Sequence, residues 1–407
     1  MAALLHTLRR APTCAAMLLL CACAARAQEA PGGVFQRLFP APTGRNGAEE
    51  FVRAGDLLKR CTEWQRIEQS PEPTLAEKRR VLQRPEIQQA LTLLRGGLRK
   101  PFLSPHAALD EETELPELAL YRSLARLLAV EMYVRLADGR TGQALESLAD
   151  GLRFAYLIEG ETLISGLVAI AMNSMLVRRL APHLDQLSAR DCERLVALAR
   201  EWISLPDPAI RIADQERQAI RRILDKHRAQ PARLLAVLWP DELERGDRSG
   251  ASRLQAALSG PAAGAVLDGA LARLDSYHAA VLECLRRPVW ERTEPPRPAD
   301  DGTAAWALFD GLAPDMGRIV DRFGAELAMV QLLGVHGAVR RYRWEHDRLP
   351  ASLSELGLGR LAIDPFTGRE LAYRKTGERS FELSSAGAVD RGSPDRPPSG
   401  QRVPVRL

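Results

Sequence analysis

Acidic side chains gather at two breaks in the helical pattern, and a pair of them could perform acid–base chemistry. Asp150, Glu159 and Glu161 lie near the glycine at position 160. The second group precedes a predicted helix and consists of Asp110, Glu111, Glu112, Glu114 and Glu117. Two carboxyl groups that flank a sugar linkage are the machinery of most glycoside hydrolases. Acids at helix ends more often cap the helix and interact with solvent, and we expect that role here.

A basic and aromatic cluster lies near the end of the last long predicted helix. Its members are Arg340, Arg341, Arg343 and Trp344. Guanidinium groups beside aromatic rings can bind anionic groups through bidentate and cation–π contacts. We expect this cluster to be the candidate partner-binding surface, and an ordinary solvated helix face is the alternative.

Two histidines on the same predicted helix could bind a metal ion only if the helix bends. His336 and His346 are ten residues apart, which places them roughly 80° apart around the helix axis. We therefore expect His336 to face the core and His346 to interact with the carboxy-terminus of the helix.

The sequence contains no familiar catalytic motif. A strand-bounded glycine-rich phosphate loop, a nucleophile elbow, an HExxH segment and a paired CxxC are all missing. The residue types therefore favour a non-enzymatic protein.

The first 27 residues have the features of a secretory signal peptide. Arg9 and Arg10 precede the apolar run 15–25, and small residues up to Ala27 fit a cleavage site. The apolar run is shorter than the roughly 20 residues that span a bilayer. We expect export to the periplasm or the exterior and cleavage of the leader. Lipidation of Cys23 is the alternative, and it would give the one route to membrane attachment.

Cleavage would change both the cysteine content and the charge of the chain. It would leave three thiols, at Cys61, Cys192 and Cys284. One disulfide with a free thiol is an option in an oxidising compartment, but we expect three buried apolar residues. The leader holds three arginines and no acid, so the formal charge falls from +4 to +1. Such a balance does not describe a nucleic-acid-binding protein.

Apolar residues recur at spacings of three and four over most of the chain, which predicts a mainly α fold with a multi-helix antiparallel array. The predicted helices cover 48–67, 75–97, 116–138, 141–158, 161–181, 188–204, 208–228, 262–285 and 316–346. The helix around 163–177 is apolar on nearly all sides and is expected to be central in the array rather than membrane-spanning. Composition predicts these divisions: signal peptide 1–27, tether 28–46, helical domain 47–286, proline-rich linker 287–303, long helix plus hairpin module 304–390 and disordered tail 391–407.

The pattern changes at Pro350, which stops the long helix. Ser352 and Glu355 stand at capping-box spacing for a short helix, and the residues at 364–368 have turn chemistry. The segments 371–375 and 380–384 alternate in polarity and predict a β-hairpin. An isolated hairpin is marginal in water, so we expect it to pack on the long helix and form a small C-terminal α+β module.

The order of these features resembles the carboxy-terminal part of the major pseudopilins of type II secretion. The resemblance covers roughly 60 residues and is carried by Leu349-Pro350, Asp364-Pro365-Phe366, Tyr373 and the end from Ser385 to Asp390. It implies a role in secretion or envelope interactions. It also implies calcium bound after the last strand, where Asp390 and Asp395 lie, with solvated loop acids as the alternative. The prepilin cleavage site and apolar polymerisation helix of pseudopilins are missing, so filament assembly is not implied.

The rest of the chain is similar to exported helical proteins of bacteria for which no activity is implied. We therefore expect an exported, non-enzymatic helical protein that binds protein partners or has a structural role in the envelope. The alternative is an extracytoplasmic hydrolase of cell-wall or polysaccharide substrates, which two carboxylates about 5 to 10 Å apart in a deep groove would favour. A third option, peptide binding in a helical groove, needs an exposed apolar stripe on the array 116–204.

Overall fold

The computed structural model of the protein describes residues 44–106, 114–238, 248–390 and 401–407. The predicted signal peptide 1–27 and most of the tether 28–46 lie outside these ranges. The acids Asp110, Glu111, Glu112 and Asp395 also lie outside them.

The described residues are mainly helical, as the apolar periodicity predicted. The helices, numbered in chain order, are α1 (Gly47–Arg60), α2 (Thr62–Gln69), α3 (Leu75–Leu82), α4 (Pro85–Gly97), α5 (Glu117–Ala137), α6 (Thr141–Glu159), α7 (Leu163–Leu180), α8 (Ala189–Trp202), α9 (Pro208–Lys226), α10 (Arg233–Leu238), α11 (Arg248–Ser259), α12 (Ala263–Leu285), α13 (Ala304–Leu312) and α14 (Met316–His346).

Two of the predicted helices are each divided in two. The helix expected over 48–67 breaks at Cys61, whose backbone is extended. The helix expected over 75–97 breaks before Pro85 because proline disfavours helical geometry in the residue before it. Arg84 is accordingly extended, and Pro85 occupies the first turn of α4, where a missing N–H costs nothing.

Helix α14 belongs to both hydrophobic cores of the protein. Its first half contacts α9, and its residues Ile319 and Phe323 belong to the core that α9, α12 and α13 also form. Its second half packs on α8 in the larger core, where Val330 and Leu333 are fully buried. The regions predicted as a helical domain and a C-terminal module therefore share both cores through this helix.

Helix α7 packs against α5, α6, α9 and α14. It buries Ala169, Met172 and Leu176 but leaves Ile164 57% exposed. Within the described residues, the stretch Leu163–Gln186 is long and apolar enough to cross a membrane by length and composition alone. Core helices of soluble proteins meet the same criterion, so this observation is weak evidence for a membrane span.

A small antiparallel sheet follows α14. Strands β1 (Ala372–Lys375) and β2 (Phe381–Ser385) form the predicted hairpin, with Tyr373 opposite Leu383, and the sheet packs against α14. A third strand, β3 (Val405–Arg406), pairs with β2. The prediction of a disordered tail over 391–407 is therefore wrong at its end, because backbone pairing orders a segment whose composition carries no strand signal. Residues 391–400 lie outside the described residues.

The turn at 364–368 is fastened to the end of β2 by a buried carboxylate. Asp364 accepts hydrogen bonds from the backbone N–H of Phe366 (2.9 Å) and from the hydroxyl of Ser385 (2.9 Å). Its other oxygen accepts from the N–H of Ala386 (2.7 Å). Gly368 adopts a φ of 66°, which glycine tolerates without strain.

The capping box predicted at the start of the short helix does not form. Ser352 makes no side-chain capping bond to the 3₁₀ turn Leu353–Leu356. Glu355 instead accepts hydrogen bonds from the hydroxyl of Tyr342 and from the N–H of Ala351, both at 2.6 Å. A contact with the preceding long helix has replaced the local cap.

Candidate functional site

A cleft of about 670 Å³ opens where α6, the α8–α9 connection, the segment after α12 and α14 meet. Its walls are largely apolar and aromatic, with contributions from Trp202, Leu205, Trp290, Phe323 and Leu327. Apolar pockets of this size that contain a few polar groups are the usual form of ligand sites. The polar groups of this cleft come from four different parts of the fold.

Two glutamates lie at the floor of the cleft. Glu159 is the last residue of α6 and is fully buried, and Glu326 lies in the middle of α14 and is 3% exposed. Their carboxyl groups are close enough to affect each other's ionisation, yet both oxygens of Glu159 are buried without a hydrogen-bond partner. The side-chain amide of Asn173, on α7, donates to Oε1 of Glu326.

Burial raises the pKa of both carboxyl groups. Desolvation raises the pKa of Glu326 to about 7, against a stabilising hydrogen bond from Asn173. Desolvation and the neighbouring charge of Glu326 raise the pKa of Glu159 well above its usual range. The negative end of the α6 dipole disfavours ionisation of Glu159 as well. Two acids this close in a buried site do not both ionise readily, as in the carboxyl dyads of some enzymes.

An ion pair stands beside the glutamates. Nη2 of Arg292 lies 2.7 Å from Oδ2 of Asp207, and the Arg292 side chain is only 7% exposed. Oδ1 of Asp207 also caps α9 by accepting from the N–H of Ala209. These contacts fix the position of the guanidinium, yet Nη1 of Arg292 is buried without a hydrogen-bond partner.

Gln331 contributes a further polar atom to the cleft. Its Nε2 donates to the carbonyl oxygens of Ile363 (2.9 Å) and Arg360 (3.2 Å). Its Oε1 is buried and has no partner. The amide is thus held in one orientation and keeps a free acceptor.

The acids around the turn at Gly160 have separate environments. Asp150 pairs with Arg95 at 2.8 Å, and the nine residues to Glu159 amount to about 14 Å along the helix. Glu161 lines a second, more polar pocket of about 450 Å³, where burial raises its pKa. Glu117 is buried and its Oε1 lies 2.9 Å from Nε2 of His106. The expected solvated role is therefore wrong for Glu159 and for Glu117, because both side chains are buried.

The residues of the predicted arginine and tryptophan cluster differ in how far they are buried. Arg340 is 3% exposed and pairs with Asp185, so it cannot belong to an exposed surface. Arg341 pairs with Glu345, one turn away on the same helix. Arg343 donates to the carbonyl of Arg379. Trp344 is 58% exposed and remains the main candidate for a contact with a partner.

The two histidines lie as the sequence predicted. His336 packs against Phe381 with ring centroids 4.8 Å apart, and burial lowers its pKa to about 4. Nδ1 of His346 lies 3.0 Å from the carbonyl of Tyr342, in the last turn of α14.

Within the described ranges, no group of three or more His, Cys, Asp or Glu side chains is placed to hold a metal ion. The backbone N–H of Asp390 donates to the carbonyl of Gln401, and Asp395 lies outside those ranges. Calcium binding there stays a prediction. Cys61, Cys192 and Cys284 are all free and buried.

Comparison of the chain with protein-family models, with curated proteins and with solved structures gives no match.

Sequence reasoning missed most of the residues that line the cleft. Glu326 and Gln331 lie on a helix that was predicted to be core, and Arg292 lies in a segment that was predicted to be a linker. One signal was available for Glu326, since it interrupts the apolar stripe of a long helix with an acid. Its partner Glu159 is 167 positions away in the chain, and no local pattern connects them.

Proposed function

We propose that this protein is an exported, non-enzymatic binding protein of a bacterial envelope, and that it holds part of a protein partner in the cleft. The observation that carries the proposal is the set of buried, unpartnered polar atoms on Glu159, Gln331 and Arg292 inside an otherwise apolar cleft. Leaving such an atom unpaired costs about 1–3 kcal/mol. A bound partner that supplied the missing hydrogen bonds would recover this free energy.

The pseudopilin-like order of the C-terminal residues supports a place in the envelope or in secretion. In this proposal the hairpin module has a structural role, because it covers α14 and so helps to hold Glu326 and Gln331 at the cleft. The exposed Trp344 at the end of α14 offers a second contact point for the partner.

Two exposed tryptophans allow a matched test of this function. Trp290 stands at the rim of the cleft and is 42% exposed, whereas Trp344 is 58% exposed at the end of α14. The full chain and the variants Trp290→Ala and Trp344→Ala would be used to capture partners from the native envelope, with quantitative mass spectrometry as the readout. We expect Trp290→Ala to reduce capture of the partner more strongly than Trp344→Ala does, because Trp344 offers only the second contact. Equal capture by all three proteins would contradict a role for the cleft.

An extracytoplasmic hydrolase is the second candidate, and the contact between Glu159 and Glu326 favours it. The contact is closer than the roughly 5 to 9.5 Å that separates the two carboxyl groups of glycoside hydrolases. A shared-proton pair would act instead by activating a water molecule that enters the cleft. Clearing of purified cell walls by the wild-type protein, abolished in Glu326→Gln, would establish this function.

A further inference from the structure

The unpartnered atoms of the cleft define the chemistry of its ligand. The acceptors are both carboxyl oxygens of Glu159 and Oε1 of Gln331, and the donor is Nη1 of Arg292. All three side chains line the cleft. Buried polar atoms in native proteins nearly always have a partner, so a fitting ligand brings N–H groups to one part of the cleft and an acceptor to another.

The glutamate pair selects the kind of donor. Two carboxylates in contact cannot both ionise in a buried site, so the pair retains a proton while the cleft is empty. A cationic donor removes this restriction because it supplies hydrogen bonds and also offsets the second negative charge. A neutral hydroxyl group would supply only the hydrogen bonds.

A primary ammonium group fits these requirements. It carries three N–H donors on a compact charge, which matches the acceptors of Glu159 and Glu326. In a peptide, a carbonyl oxygen follows the amino terminus within one residue, and Nη1 of Arg292 needs such an acceptor. The apolar walls around Leu205 and Phe323 suit the first side chains of the peptide.

We propose that the cleft binds the free amino terminus of a polypeptide, with its ammonium group on Glu159 and Glu326 and its first carbonyl groups directed toward Arg292. This inference rests on the proposed binding function and names the part of the partner that is bound.

The first test compares two peptides that differ only at the amino terminus. The tripeptide amide Leu-Ala-Ala and its N-acetylated form would be titrated into the full chain, in buffer containing EDTA, with isothermal titration calorimetry as the readout. Acetylation removes the charge and two of the donors, so we expect binding about 30-fold weaker or more, from the value of a charge-assisted hydrogen bond. Butylamine, a free amine without a peptide, would show whether the ammonium group alone is enough.

The second test uses matched variants on either side of the Gly160 turn. Glu159→Gln removes the negative charge from the cleft, and Glu161→Gln makes the same change in the neighbouring pocket. We expect Glu159→Gln to weaken binding of the peptide with a free amino terminus by about tenfold or more. Glu161→Gln should leave the affinity within about twofold of the wild-type value. Circular dichroism would confirm that both variants are folded, and the comparison of the two peptides does not depend on either variant.

The number of protons released on binding is a further measurement. A purely structural role of the glutamate pair would not change it. The ammonium group favours ionisation of both glutamates, so binding near pH 6.5 should release at least about one proton, measured from the binding heats in two buffers of different ionisation enthalpy. Ionisation of the pair also responds to the other charged groups around it and the cleft, which are Asp207, Arg211, Arg286, Arg287, Arg292 and Arg360.

Three results would overturn the inference: equal affinity for the free and acetylated peptides, no binding of either peptide, or preferential binding of a neutral oligosaccharide. The inference can fail while the proposed function stands, if Trp290→Ala still reduces partner capture. The proposed function fails separately, if capture is unchanged by that variant.

Discussion

The carboxyl group of Glu159, at the end of α6, lies against the carboxyl group of Glu326, in the middle of α14. Asn173 on α7 completes the contact through its amide. Three helices that are distant in the chain therefore meet at one pair of buried acids. The protonation of this pair should affect both the stability of the fold and the charge of the cleft.

The free energy of unfolding should fall as the pH rises, because folding raises the pKa of both glutamates. Above pH of about 4.5 both glutamates ionise in the unfolded chain, whereas the folded chain keeps them protonated up to the pKa of about 7 of Glu326. Between these pH values the folded state binds more protons than the unfolded state. The stabilisation that the raised pKa values provide is therefore complete at low pH and is lost as the pH rises through 7. For each extra proton that the folded state binds, the free energy of unfolding falls by about 1.4 kcal/mol per pH unit.

The variant Glu326→Gln isolates this contribution. Its amide can donate to Glu159 and accept from Asn173, and it cannot ionise. We expect the free energy of unfolding, measured by urea denaturation between pH 5 and 8, to fall less steeply in the variant than in the wild-type protein. Parallel curves for the two proteins would show that Glu326 does not titrate in this range.

The buried carboxylate of Asp364 should contribute far more to stability than an exposed one in the same module. Asp364→Ala leaves three donors without their acceptor, of which the Ser385 hydroxyl is fully buried. We expect a loss of about 3 kcal/mol or more. Glu382→Ala removes a cross-strand pair with Arg374 whose side chains are 62% and 72% exposed, and it should cost less than about 1 kcal/mol. Guanidinium denaturation measures both, and similar losses would contradict the assigned role of Asp364.

The helices of the array could be predicted from the sequence because they are amphipathic over several turns. The segment 316–346, for example, was predicted with the limits that α14 has in the structure. The strand at Val405 and Arg406 could not be predicted, since two residues carry no periodicity and the pairing partner in β2 is about twenty positions away. The break of a predicted helix at Cys61 likewise has no glycine or proline to mark it.

The candidate site was far less predictable than the fold. Glu159 was recognised as an acid near a helix end, but the element that buries it is α14, and the resemblance to pseudopilins concerned only the outer part of that helix and the hairpin. Arg340 shows the same limitation, because its charge indicated exposure while its side chain is only 4% exposed and pairs with the exposed Asp185, from a 3₁₀ turn that is distant in the chain. Burial of a charged residue depends on tertiary contacts that a local pattern does not contain.

The three cysteines that follow the predicted leader should behave as inert thiols. Cys61, Cys192 and Cys284 are buried, and burial raises the pKa of Cys192 and of Cys284, which lowers the fraction of reactive thiolate. We expect slow reaction of the folded protein, prepared without residues 1–27, with Ellman's reagent. In guanidinium without reductant, three thiols per chain should react. A value of one would instead reveal a disulfide.

The crossing of α14 and α8 depends on a glycine that brings the two backbones close together. A Cβ atom at Gly337 would lie 2.8 Å from the carbonyl oxygen of Cys192, and backbone cannot move aside as a flexible side chain can. We expect Gly337→Ala to lower the free energy of unfolding by about 1–3 kcal/mol, as overpacking does. At Gly264, on α12, an added Cβ would meet no atom within 4 Å, so Gly264→Ala should be neutral or stabilising by up to about 1 kcal/mol through helix propensity. Thermal or urea denaturation of the two variants measures the difference, and a Gly337→Ala protein as stable as Gly264→Ala would mean that the two helices are not in this close contact.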